Sequence, residues 1–407
     1  MNNPQRKLCL AFTLLLAFMP LSAVVAPRGL AFLPGITGLV YLLMAFLTFR
    51  EKPVIPRTAL IGVAVISILC IVSSMWAIIP PDALGRALRT TAVLCSGCLL
   101  LSAAQTIRLE NLKPYLWIFP ASLILTATLI FIELKLDSQI FRFIRNLPPE
   151  HDVYPAEYNR ASVFVILMLF PAVSILRHYI DYRKILILLA FDLGPLLIVA
   201  DSQSTQMAFL LGMITLIAFP YRHKFSWVTF CAVVFGLMLA APFISIWVFK
   251  NMATSIEAIP LLGKTGGFAG ARLEIWDYVS RYMLQNPLYG FGLEATRHIN
   301  NFDSKQIYQE GTSILHPHNF VLQIWIEFGL VGIVTLGGLL TALILRMQKY
   351  LTPQQARFTL PTLIAIMSVG STGYGMWQGW WIGTLFVAIA TCILAVRMDN
   401  ENTKGID

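Results

Sequence analysis

Apolar residues run along this chain in long unbroken stretches, separated by polar turns that carry arginine and lysine. Twelve such stretches cover residues 8–26, 29–49, 58–79, 90–107, 114–134, 160–176, 185–200, 205–220, 225–249, 318–345, 358–373 and 377–396. A helix rises about 1.5 Å per residue, so about twenty apolar residues cross the roughly 30 Å of bilayer hydrocarbon. The pattern predicts an all-α polytopic membrane protein with about twelve transmembrane helices. The strands of an outer-membrane barrel would instead alternate over about ten residues. Two connecting segments are longer than turns, at roughly 135–160 and 250–317. The expected division is spans one to nine at 1–249, a long loop with short helices at 250–317, and spans ten to twelve with a tail at 318–407. The first run follows Arg6 and Lys7 and ends in Val24-Val25-Ala26, as a signal peptide would. Its apolar stretch is longer than a usual signal core, so it is read as a retained helix.

Composition agrees with this pattern. Of the 407 residues, 57% are apolar and 13% charged, where a soluble domain runs near 45–50% and about 25%. The 30 basic and 21 acidic residues leave a net charge of +9. Because the basic residues flank the runs, the excess reads as topology rather than as a nucleic-acid surface. With the N-terminus placed in the cytoplasm, 17 basic residues fall at cytoplasmic ends, and the short loops opposite hold only Arg28, Arg86 and Arg89. Basic residues in short loops stay inside. Both termini are therefore expected in the cytoplasm, with both long segments outside.

That orientation narrows the chemistry. The cytoplasmic loops are too short for a nucleotide-binding domain. The chain has no Asp-x-Asp metal–nucleotide-sugar motif and no Gly-x-Ser-x-Gly nucleophile elbow. Gly263-Lys264-Thr265 mimics the end of a P-loop, but Ala258 stands where its first glycine belongs. Cys9, Cys70, Cys95, Cys98, Cys231 and Cys392 all lie in apolar runs and read as small core residues, the Cys95-x-x-Cys98 pair included. No metal site and no cofactor are expected.

Polar chemistry gathers at the outward level. The stretch from Arg272 to Asn286 predicts a helix, with Leu273, Trp276, Val279 and Met283 on one face. Gly266, Gly267 and Gly270 precede it and Pro287 ends it. An arginine in its first turn opposes the helix dipole unless an anion docks there, where backbone N–H groups and a guanidinium converge. A helix lying on the membrane surface is the alternative. His316-Pro317-His318-Asn319 opens the tenth span, with His316 near the N-cap and His318 in the first turn. The positive helix end there favours a neutral imidazole, the form a general base needs. An interfacial histidine bonded to the backbone is the alternative. Arg160 begins the sixth span, and Arg86 and Arg89 share a helical face before the fourth. These arginines snorkel to lipid phosphate or, facing one cavity, suit a diphosphate. Asp201-Ser202-Gln203-Ser204-Thr205-Gln206 is a polar loop at the same level, either a turn or a set of hydrogen-bond donors to phosphate or sugar. Glu327 lies nine residues past His318, on the opposite helix face, which suits packing or a buried polar bond.

Together these residues resemble the O-antigen ligase and O-antigen polymerase superfamily of Gram-negative inner membranes. His316-Pro-His-Asn-Phe-Val-Leu-Gln-Ile-Trp-Ile-Glu-Phe-Gly-Leu-Val-Gly332 is similar to that family's His-Asn…Leu-Gln…Glu-x-Gly-x-x-Gly signature. Arg272-Leu-Glu-Ile-Trp276 with Asn286-Pro-Leu-Tyr-Gly-Phe-Gly292 resembles its Arg…Trp…Pro-x-x-Gly-x-Gly segment. Tyr158-Asn-Arg160, the Ser202-Gln-Ser204 loop and Tyr374-Gly-Met-Trp-Gln-Gly-Trp-Trp381 resemble further elements. One position departs: many members carry an arginine where this chain reads Ser204-Thr205-Gln206.

The resemblance implies a membrane glycosyltransferase of GT-C-like architecture with its active site facing the periplasm. It would move a finished glycan, without metal, from an undecaprenyl diphosphate carrier to a lipid A–core sugar hydroxyl. The partners implied are that donor, that acceptor and membrane lipid, with no nucleic acid. His318 is then the candidate base and Arg272 the catalytic cation. Arg160, Arg86, Arg89, His316, Asn319, Ser202, Gln203, Ser204, Gln206, Trp276, Tyr374 and Gln378 are the candidate substrate-binding residues. A polymerase of the same superfamily differs only in its acceptor. A lipid-linked oligosaccharide transporter would use basic cavity residues too, but would not need His318 as a base.

Overall fold

The computed structural model describes residues 4–148, 150–199, 202–257, 268–299, 302 and 314–404. Asp201, the Gly263-Lys264-Thr265 run and Gly266-Gly267 lie outside them. Regular structure among the described residues is helical. The helices are α1 (Pro4–Val25), α2 (Leu33–Phe49), α3 (Arg57–Ser73), α4 (Pro80–Thr106), α5 (Leu109–Leu112), α6 (Ile118–Lys135), α7 (Gln139–Arg145) and α8 (Asn159–Leu176). They continue as α9 (Tyr182–Val199), α10 (Gln203–Ala218), α11 (Lys224–Glu257), α12 (Phe268–Met283), α13 (Ala295–His298), α14 (Phe320–Tyr350), α15 (Pro353–Thr372) and α16 (Gly379–Lys404).

The chain is an all-α polytopic membrane protein, and the twelve spans expected are not confirmed among the described residues. Every apolar run is helical, but eight helices among the described residues are both long and apolar enough to cross a membrane. α2 and α10 are apolar but shorter. α9 carries Arg183, Lys184 and Asp192, and α15 opens on Gln354, Gln355 and Arg357, which dilutes their hydropathy. α11 runs on to Glu257, past the predicted end of the ninth span at 249.

α8 is the axis of the bundle. Its side chains from Ala161 to Leu176 are all buried, as expected of a helix that is apolar all round. α1, α2, α4, α6 and α16 contribute to the core cluster that includes α8. α12 packs on α11 and α14 in a second cluster. The predicted apolar face of α12 is correct there: Leu273, Val279 and Met283 are buried and Trp276 is partly so.

α14 is broken at Gly329, whose backbone (φ 59°, ψ −150°) lies in a region open essentially to glycine alone. The hydrogen bonds lost at the break are replaced by residues 287–292. Phe291 N–H donates to Ile326 O at 2.8 Å and Gly292 N–H to Glu327 O at 2.9 Å. On the other side, Leu330 N–H donates to Pro287 O at 2.8 Å and Val331 N–H to Leu288 O at 3.2 Å. The approach leaves no room for a side chain: a Cβ on Gly329 would sit 2.6 Å from the Leu288 backbone, and one on Gly290 2.7 Å from that of Glu327. The Pro-x-x-Gly-x-Gly and Glu-x-Gly stretches are thus two sides of one backbone junction.

Candidate functional site

One end of the bundle collects the starts of α8, α10, α14 and α16, the end of α15, and α12. His318 lies there, before its helix rather than in the first turn. α14 begins at Phe320, and Asn319 is its N-cap, accepting from Val321 N–H at 3.0 Å and Leu322 N–H at 3.2 Å. Asn319 was expected to touch substrate; here its side-chain oxygen holds the helix end. His316 is not the N-cap, because Pro317 and His318 remain outside the helix. His318 takes a left-handed backbone (φ 54°), which turns its ring towards the end of α15.

There His318 Nδ1 lies 2.5 Å from Gly373 O. A carbonyl only accepts, so Nδ1 carries the proton and the Nε2 lone pair is left open in the neutral ring. Burial lowers the His318 pKa, the Gly373 bond raises it, and the positive charge of Arg272 lowers it further. The net shift is downwards, so the ring is held in the form a base requires. Gly373 was not anticipated, because any residue supplies a carbonyl and nothing in the sequence marks this one.

His316 packs against His318 with ring centroids 4.2 Å apart, and its Nδ1 faces the His318 N–H at 3.3 Å. Burial, then the neighbouring His318 and Arg297, push its pKa down to about 3. Gln378 touches His316 Nε2 at 3.3 Å and accepts from Trp380 Nε1 at 2.7 Å. Trp276 donates its indole N–H to Pro317 O at 2.8 Å, so this side chain ties α12 to the histidine loop.

Arg272 stands in the second turn of α12, not the first, because the helix begins at Phe268. It is partly buried, and desolvation lowers its pKa. Arg160, second residue of α8, lies 5.6 Å over the Trp380 ring. Tyr374 joins the two arginines: burial raises its pKa to about 12, and the charges of Arg160 and Arg272 pull the other way. Its ring meets Trp380 edge-on at 4.6 Å. Among the described residues, neither Arg160 nor Arg272 has a carboxylate partner. Two guanidiniums around Tyr374, one of them acting on the His318 imidazole, are chemically suited to an anion.

The polar loop is mostly helix. Ser202 is the N-cap of α10, accepting from Thr205 N–H at 3.3 Å and Thr205 Oγ1 at 2.7 Å, and Gln203 opens the helix. Ser204 accepts from Thr372 Oγ1 at 3.0 Å, beside Gly373. Gln206 is exposed and donates to Leu197 O on α9 at 2.8 Å. Arg86 and Arg89 are not brought to the histidines. Arg86 pairs with Glu294 at 3.0 Å, and exposed Arg89 donates to Gly85 O of its own helix.

Glu327 is fully buried at the junction. Its carboxylate accepts from Trp377 Nε1 at 2.6 Å, Gln323 Nε2 at 3.0 Å and Glu294 N–H at 3.3 Å. Gln323 Oε1 accepts from Met376 N–H at 3.0 Å. This network fastens the Tyr374–Trp381 stretch to α14, and Glu327 makes the buried polar bonds its position predicted. No group of three His, Cys, Asp or Glu suited to a metal occurs among the described residues. Beside the junction lies an apolar groove of about 820 Å³, lined by Ile68, Val72, Trp76, Tyr289 and Val331 among others.

Residues 185–337 match the family model described as O-antigen ligase. That range holds Ser202–Gln206, Arg272, Trp276, His316–Asn319 and the Gly329 junction, but not Arg160, Tyr374 or Gln378. Three similar proteins each carry the name "Putative polysaccharide ligase". The one from Rickettsia conorii is 26% identical over 211 residues, covering 50% of this chain and 49% of its own. The one from Rickettsia typhi is 25% identical over 225 residues, covering 54% and 52%. The one from Rickettsia felis is 26% identical over 212 residues, covering 50% of each. The chain spans about half the length of the curated relatives it matches.

Proposed function

We propose that the chain, whose residues 185–337 match the O-antigen ligase family model, is a member of that family and transfers a finished glycan from undecaprenyl diphosphate to a sugar hydroxyl of lipid A–core. The reaction takes place at the periplasmic face of the bacterial inner membrane, in a GT-C-like bundle with both termini in the cytoplasm. The observation that carries the reading is the neutral His318, pinned through Nδ1 by Gly373, beside the uncompensated Arg272 and Arg160.

His318 Nε2 takes the proton of the acceptor hydroxyl. The oxygen bonds to the anomeric carbon as the bond from that carbon to the diphosphate breaks. Attack opposite the leaving group inverts the centre. The undecaprenyl diphosphate leaves with the bonding pair, and Arg272 and Arg160 stabilise its growing charge. The diphosphate is already activated, so no nucleotide is consumed. His318 returns its proton to water. The apolar groove beside the junction suits the polyprenyl tail, and Tyr374, Gln378 and Ser204 are assigned to substrate contact.

Deleting the gene is expected to leave bare core on a lipopolysaccharide gel while polymer accumulates on its carrier. Core capped by one repeat unit would make the protein a polymerase, and wild-type lipopolysaccharide would remove it from the pathway. His318→Asn tests the base separately. Asparagine tolerates the left-handed backbone and can donate to Gly373 O, so the variant should fold. It is expected to lose transfer by a factor of about a hundred to ten thousand. Transfer at the wild-type rate by purified His318→Asn would exclude His318 as the base.

A further inference from the structure

A second cavity, of about 940 Å³, opens at the other end of the bundle. α15 joins the two ends: Pro353 lines this cavity, and Gly373 follows directly after the helix. Its 20 residues span about 30 Å, the thickness of bilayer hydrocarbon. The cavity plays no part in the chemistry around His318.

Its polar edge comes from the turn between α10 and α11 and from the start of α15, as Arg222, His223, Gln354 and Arg357. None of its lining residues is acidic. Arg177, at the rim, is already neutralised by Asp399 at 2.5 Å and stacks on Phe358 at 5.0 Å. Arg357 lies 6.0 Å over the ring of Tyr221, which donates its hydroxyl to Thr215 O at 2.6 Å and is fixed by it. Among the described residues, Arg222 and Arg357 have no carboxylate partner. The floor is apolar, and it runs out over Tyr182, Leu186 and Ile217, which are 52%, 49% and 73% exposed. On a membrane protein such side chains face lipid. A positive edge joined to an apolar exit matches an amphiphile; a free phosphate would use the edge alone.

We propose that this cavity binds an anionic phospholipid, its headgroup between Arg222 and Arg357 and its acyl chains along Leu186 and Ile217. The proposal does not depend on glycan transfer. A basic side chain near an anionic headgroup favours it several-fold, so two give a preference of about tenfold or more over a zwitterionic lipid.

The test is native mass spectrometry of the full chain in detergent, titrated with phosphatidylglycerol and with phosphatidylcholine. The wild type is expected to retain phosphatidylglycerol about tenfold more tightly. The Arg222→Gln, Arg357→Gln double variant should lose that preference, and the corresponding double lysine variant should keep most of it. Equal retention of the two lipids by the wild type would overturn the proposal, as would an undiminished preference in the glutamine variant. Release of bound phosphatidylglycerol by inorganic phosphate would make this a free-anion site and overturn it too. Should the glutamine variant not fold, the wild-type preference must still weaken as salt rises from about 50 mM to about 500 mM; a preference indifferent to salt would also refute the assignment.

Discussion

At the scale of single residues, the burial of His318, with the charge of Arg272 adding to it, sets the pH behaviour expected of the proposed base. Only neutral His318 can accept a proton, and its pKa is held below the ordinary histidine value by burial and by the Arg272 charge. Transfer should therefore persist below pH ~6.5 and fall only as the pH drops through the lowered value. Arg272→Gln removes a positive neighbour, so the imidazole protonates more readily and the acid limb of kcat/KM should move to higher pH. Arg272→Lys keeps the charge but loses the planar fork that grips a phosphate. It should leave the limb in place and recover only part of the rate, while Arg272→Ala loses about a hundredfold. Rate against pH for the purified protein with the proposed lipid-linked donor separates the two roles. An unmoved limb in Arg272→Gln would dissociate Arg272 from the base. The sequence singles out His318 and Arg272 as candidates because both are charged or titratable residues at the edge of apolar runs. Asn319 and Ser202 cap helices and Trp276 bonds the Pro317 carbonyl; those structural roles were not legible, because a side chain that caps a helix or bonds a carbonyl looks the same in sequence as one that binds a ligand.

At the scale of elements, the informative feature is the break in α14. Hydropathy runs unbroken from residue 318 to 345, so the sequence predicts one continuous helix and gives no periodic sign of Gly329. The pairing with residues 287–292 is backbone chemistry between distant segments, and only the glycines mark it. The face of α12 could be read because its apolar side chains repeat at the helical period. The junction matters to the site because Glu327 lies in it and, with Gln323, fastens Trp377 and Met376 to α14, which sets the path from Gly373 to Trp381. Gly329→Ala forces a Cβ against the Leu288 backbone in a conformation that costs a non-glycine residue about 1–3 kcal/mol. Overpacking adds to that cost. The variant is expected to show a lower thermal midpoint and loss of transfer together. Gly338→Ala, in the same helix with open space at its Cβ position, should change neither. A wild-type midpoint for Gly329→Ala would mean that the break is not required.

At the scale of the whole molecule, the two ends of the bundle differ in chemistry as the basic residues foretell. One end holds the histidine–arginine site; the other holds the Arg177–Asp399 pair and the basic cavity. Eight helices among the described residues meet the length and hydropathy of a span, and twelve are not confirmed, because helical runs of marginal length and polarity, such as α9 and α15, cannot be classed by hydropathy alone. Orientation is a separate matter, resting on the 17 basic residues at one end against three in the short loops of the other. It predicts which faces water-soluble reagents reach. Tyr154 is 67% exposed, in the segment before α8, and Lys184 has 69% side-chain exposure near the start of α9. α8 lies between them, so they are expected on opposite faces of the membrane. With Cys95, the one exposed native cysteine, replaced by alanine, the buried cysteines leave little background. Tyr154→Cys should then react with a membrane-impermeant maleimide in intact spheroplasts. Lys184→Cys should react only after the membrane is opened. The reverse pattern would turn the molecule over and put His318 in the cytoplasm, away from the periplasmic face that the proposed reaction requires. Labelling of both residues in intact spheroplasts would mean that α8 does not separate the two aqueous sides.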